Sequence, residues 1–148
     1  MAFELNYDDA IPLDAEALAE GGVADGYESV LSKLRQFVKD PAEIEELCDD
    51  DIPSYSVRCG SNEYGIYGPD LDDEEGDSWG RATVALFAIV NKQLKNATHR
   101  LYAINGGNDL FGMFLMPAEA SAAQKSLSNK RDWPYTPKDE QPWYGQYH

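Results

Sequence analysis

The chain changes rhythm at Ser54-Tyr55-Ser56-Val57-Arg58-Cys59-Gly60-Ser61-Asn62-Glu63-Tyr64-Gly65-Ile66-Tyr67. Before it, apolar residues recur at the three-and-four spacing of helices. Here Tyr55, Val57 and Cys59 face one way and Ser54, Ser56 and Arg58 the other, the alternation of a half-buried strand. Gly60-Ser61-Asn62 is turn chemistry, and residues 63–67 read as the returning strand.

C-terminal to this hairpin, an acidic loop (68–77) leads to the longest helix, 79–96, capped by Asp77 or Ser78. Trp79, Thr83, Leu86, Val90 and Leu94 form one line along it. Residues 100–104 and 110–116 make a second pair of strands around Asn105-Gly106-Gly107-Asn108-Asp109. A phosphate loop would need a helix after those glycines, with lysine and serine or threonine, so they read as a hairpin turn. Pro117 opens a final helix to about residue 128, and residues 129–148 mix prolines with aromatics without a period.

N-terminal to the hairpin, residues 1–13 read as irregular or a short edge strand. Asp14 can cap a short helix over 15–20, which Gly21-Gly22 stops. A firmer helix spans 27–39, with Tyr27, Val30, Leu31, Leu34, Phe37 and Val38 on its buried face. Asp40-Pro41-Ala42-Glu43 then reads as the start of a third, short helix, with Ile44, Leu47 and Cys48 on its buried side. The expectation is one α+β domain over 1–148. Its antiparallel sheet has about four strands, in two hairpins, with helices packed on one side and an extended tail (129–148) packed on it.

Charge narrows the function. Across 148 residues, 12 lysines and arginines face 27 aspartates and glutamates, a net of -15. Residues 1–77 hold 22 acids and four bases, a net of -18; residues 78–148 hold five acids and eight bases, a net of +3. Such a balance argues against nucleic acid and anionic membrane as partners, since both need a basic footprint. It permits a basic protein, a cation, or a solvated acidic surface. The N-terminus has neither the charge nor the apolar run of a secretory signal, and the longest apolar stretch, 84–90, is too short to span a membrane. Cys48 and Cys59 fit no zinc spacing and read as reduced thiols, so a cytoplasmic location is expected.

Three stretches are candidates for function. Asp70, Asp72, Asp73, Glu74, Glu75 and Asp77 surround Gly76. They read as a solvated loop whose last acids favour the positive end of the next helix, as a surface for a basic protein, or as oxygen ligands for a hard cation. The alternate spacing of an EF-hand is missing, and no metal or cofactor is assigned. The second stretch is Glu43, Glu45, Glu46, Asp49, Asp50 and Asp51; on a helix, Glu43, Glu46 and Asp50 would share a polar outer face. The third is the tail, where Trp133 and Trp143 can either clamp the domain or anchor a partner. His99 and His148 lie in no nucleophile elbow, paired-histidine helix or cysteine–histidine motif, so no catalytic residue is assigned.

Glu75-Gly76-Asp77-Ser78-Trp79-Gly80-Arg81-Ala82-Thr83, Tyr102 to Leu110, and Asp132-Trp133-Pro134-Tyr135 with Pro142-Trp143-Tyr144-Gly145 together resemble an uncharacterised family of small soluble bacterial proteins. The likeness runs from about Asp14 onward and implies no catalytic residues. In pattern and size the chain also looks like the immunity proteins of bacterial polymorphic-toxin systems. The leading expectation is a non-enzymatic acidic protein that neutralises a basic partner, a toxin domain for instance, through Asp70, Asp72, Asp73, Glu74 and Glu75 with Trp133 and Trp143 as anchors. A small enzyme or ligand-binding domain is the rival, its pocket lying between sheet and tail and lined by Tyr64, Tyr67, Arg81 and Trp133. A structural or oligomerising protein is the third reading; the oligomeric state is left open.

Overall fold

The computed structural model describes residues 4–69, 71, 77–140 and 143–147. From the N-terminus run β1 (Ile11–Pro12), a π-helical turn (Ala17–Gly21), α1 (Val23–Leu34), β2 (Glu45–Asp49), β3 (Ser54–Cys59) and β4 (Asn62–Tyr67). Then follow α2 (Asp77–Gln93), β5 (Arg100–Ile104), β6 (Phe111–Leu115) and α3 (Pro117–Ser126). The arrangement is α+β and antiparallel. Instead of one sheet of about four strands, however, the described residues form two three-stranded sheets, ordered β1-β6-β5 and β2-β3-β4.

Each expected hairpin lies at the heart of one sheet. Cys59 pairs with Asn62 across a turn in which Gly60 takes φ 60°, and Tyr55, Val57 and Ile66 turn inward. In the other hairpin Arg100 pairs with Leu115 and Ile104 with Phe111, with Asn105 and Gly107 at φ 59° and 60° in the connection. A third strand then joins each hairpin. β1 lies along β6, and β2 lies along β3 from Glu45 opposite Arg58 to Asp49 opposite Ser54.

β2 corrects the short helix expected after Pro41. Residues 40–44 form no helix, and Ala42 is held at both backbone groups: its N–H donates to Gln93 Oε1 (2.8 Å) and its carbonyl accepts from the Tyr27 hydroxyl (2.5 Å). The Tyr27 oxygen also accepts from Gln93 Nε2 (3.0 Å). With both groups of Ala42 fixed from α1 and α2, the chain is delivered straight to β3. Pairing along an existing strand outweighs the local cap signal, because an isolated helix of so few residues is marginal.

α2 explains why two sheets make one body. Leu86, Phe87 and Val90 share a core with Val57 and Ile66 of one sheet, Leu101 and Ala103 of the other, and Val30 and Leu34 of α1. Each of these side chains larger than alanine contributes about 1.5–3 kcal/mol by leaving water. The far face of the first sheet is covered too: Ile104, Met113 and Leu115 pack with Ala120 and Ala123 of α3. Helices therefore cover both faces of that sheet, not one side only. No helix among the described residues is long and apolar enough to cross a membrane.

Candidate functional site: an acidic strand edge and an aromatic tail clasp

The second acidic stretch sits on β2 and in the turn after it. Glu45, Asp49, Asp50 and Asp51 are exposed, and Asp49 Oδ1 accepts from the Asp51 N–H (2.9 Å), which shapes the turn. Across residues 45–67, six acids face a single base, Arg58. Arg58 lies in register between Glu45 and Glu63 and reaches both, at 3.7 and 3.0 Å. These exposed pairs are worth at most about 1 kcal/mol each. They leave the surface strongly negative.

Glu46 does something else. The Tyr55 hydroxyl donates to its carboxylate and accepts the N–H of Val23 (2.7 Å), the first residue of α1. An acid thus lies by relay at the positive end of α1 and ties β2 to β3 and the helix. Burial first, then the Glu46 carboxylate, raises the Tyr55 pKa far above the ordinary tyrosine value.

The acids Asp70, Asp72, Asp73, Glu74 and Glu75, expected to meet a partner, lie outside the described residues. The chain leading to them is described. Gly68 stands against Ser54, the residue opposite Asp49, so β4 departs from the sheet at the end where the Asp49–Asp51 turn lies. Asp77, expected as a cap, instead begins α2, is only 7% exposed, and has no hydrogen-bond partner for Oδ2 among the described residues. Its Oδ1 accepts from the Tyr144 hydroxyl (3.1 Å).

That contact belongs to the tail. Tyr135 exchanges two backbone hydrogen bonds with Ala103 (2.8 and 2.9 Å) and so adds to β5. Lys138 N–H donates to Tyr144 O (2.9 Å) and Tyr144 N–H to Glu140 O (2.7 Å), which folds the tail back and lays the Tyr144 ring on Gly80. A β-carbon on Gly80 would overlap that ring. The Gly of Trp79-Gly80, the Gly106-Gly107 connection and the Trp143-Tyr144 tail, separate in sequence, therefore meet around a cleft of about 240 Å³ that Thr83, Tyr135 and Gln146 also line.

The two tail tryptophans part company here. Trp133 donates its indole N–H to Leu127 O (2.8 Å) and meets Tyr147 edge-on at 5.2 Å, so it clamps the tail. Trp143 is 44% exposed at the lip of the cleft. The pocket expected from Tyr64, Tyr67, Arg81 and Trp133 does not assemble as a set. Tyr64 and Arg81 line a second cleft of about 240 Å³ with Glu63 and the tail residue Asp139, whereas Tyr67 stands against Tyr55. Among the described residues no group of three or more His, Cys, Asp or Glu side chains is placed to hold a metal ion.

Comparisons with protein-family models, with curated proteins and with solved structures find no match for the chain.

Proposed function

We propose that this chain is a non-enzymatic acidic binding protein that takes up a basic protein partner, as an immunity protein takes up a toxin domain. The observation that carries the reading is the six acids against Arg58 alone across residues 45–67, on a sheet whose outer strand is exposed. An excess of one charge on a surface speeds encounter with an oppositely charged one, and a few aromatic anchors such as Trp143 set the lifetime. The test is capture from the native host at low salt, then association kinetics of the captured partner over a salt series. The rate constant should fall by about tenfold or more between roughly 0.05 and 0.5 M salt. A rate that ignores salt overturns the reading.

A second reading, a small-ligand site between sheet and tail, is favoured by the cleft beside Trp143. At about 240 Å³ it lies below the ~300–1,000 Å³ usual for drug-sized ligands. It suits one protruding side chain or a fragment. A screen of fragments read by tryptophan fluorescence, with Trp143→Phe as control, tests it.

A further inference from the structure

We propose that the outer edge of β2 is a docking strand that receives an extended basic segment of the partner by antiparallel strand addition. This rests on the reading above and specifies where and how the partner binds.

The other outer strands of the molecule are short or have backbone groups taken by side chains or the tail. β5 is an outer strand, yet Leu101 is paired at both backbone groups by the Asn91 side chain (2.8 and 3.0 Å), and Ala103 is paired by Tyr135. β4 is the other outer strand of the second sheet, and there Arg81 Nε takes the Ile66 carbonyl (2.6 Å). β1 has only two residues. β2 is an outer strand of five residues in which no backbone group is hydrogen-bonded beyond β3 among the described residues, whereas on six-residue β4 the Ile66 carbonyl is taken. Unpaired edges template the addition of another strand, and proteins ordinarily cover or charge them. This one is charged.

The charges name the occupant. Alternate residues Glu45, Leu47 and Asp49 share the outer face of β2, with Leu47 half-buried between two exposed acids. A second copy of β2 laid antiparallel would set acid against acid, which is destabilising. A segment with lysine or arginine, an apolar residue, and lysine or arginine at alternate positions would match all three. The same acids thus exclude self-pairing and admit a basic strand. The edge also has a continuation: Glu43 and Ile44, immediately before β2, line a groove of about 470 Å³ against α1. Tyr27, Leu31 and Ile44 give it apolar walls, and its three acids, Asp25, Glu28 and Glu43, outnumber its one base, Arg35.

The probe is a synthetic peptide of alternating lysine, valine and lysine among threonines, added to the whole protein. Its twin carries N-methyl groups that block strand pairing and leave the charge unchanged. The unmodified peptide should slow hydrogen exchange of β2 amides and bind roughly tenfold more tightly than its twin, as two or so lost hydrogen bonds imply. Glu45→Lys with Asp49→Lys should abolish that preference, whereas Asp8→Lys with Glu20→Lys, the same charge change at exposed sites elsewhere, should keep it. Equal, salt-sensitive binding of both peptides overturns strand addition and leaves the acidic-binding reading standing. Binding of neither peptide, a self-dimer that protects β2, or equal loss in both variant pairs also overturns the proposal.

Discussion

Tyr144 holds φ 50°, a left-handed conformation that side chains with a β-carbon resist at a cost of about 1 kcal/mol or more. What compensates is the ring, buried on Gly80, and the hydroxyl on Asp77. Gly80→Ala sets two effects against each other: alanine gains about 1 kcal/mol of helix propensity, and overpacking costs about 1–3 kcal/mol. The overlap with the ring is with rigid atoms, so the tail should detach. Limited proteolysis should then cut residues 136–147 faster than in the parent; an unchanged cutting rate with raised stability contradicts this. Tyr55→Phe removes the acceptor of the Val23 N–H and should cost about 1–3 kcal/mol in urea unfolding. The phenols also predict a pH response. Tyr27, Tyr55, Tyr102 and Tyr135 all have pKa values raised chiefly by burial. Above about pH 10 the unfolded chain loses phenolic protons that the folded chain keeps, so stability should be full below that value and fall as pH rises past it. An alkaline urea series that stays flat would contradict the burial of these rings.

At the scale of elements, legibility followed burial. β3 and α2 bury one clear face, so their periods could be read directly from Tyr55 and Val57 and from Thr83, Leu86 and Val90. β2 buries almost nothing, and its Leu47, three residues after Ile44, mimics a helical step. Its strand state is set by β3 and by Gln93 and Tyr27 holding Ala42, contacts that no local pattern announces. α1 starts four residues ahead of the expected 27 because the Tyr55 hydroxyl serves Val23, again a distant partner. The tail cleft was half legible: its three stretches stood out as a set, but only the ring of Tyr144 on Gly80 says why. Asn91 was unreadable, because a side-chain amide standing in for a strand requires knowing which strand passes it. Asn91→Leu should strand the N–H and C=O of Leu101 and cost about 2–4 kcal/mol, measured by urea unfolding. A loss under 0.5 kcal/mol would show that water replaces it.

At the scale of the molecule, the two sheets have no strand in common and meet through α2. Cooperative unfolding follows from that shared core. Far-ultraviolet dichroism and tryptophan fluorescence should give coincident urea transitions, and separate midpoints would mean that each sheet is held by its own contacts. The polarity of charge, -18 in residues 1–77 against +3 in residues 78–148, maps onto the same division. The acid-rich second sheet lies wholly in the first part of the chain, and the first sheet draws β5, β6 and the Tyr135 contact from the second. One consequence concerns birth order on the ribosome. Ala103 and its neighbours emerge well before Tyr135, so β5 spends an interval of synthesis with its flank half dressed. Asn91 precedes Leu101 and is already available. The cover on β5 thus comes from two places in the chain, the Asn91 amide ahead of the strand and Tyr135 after it, and both are needed to close its flank to a foreign strand.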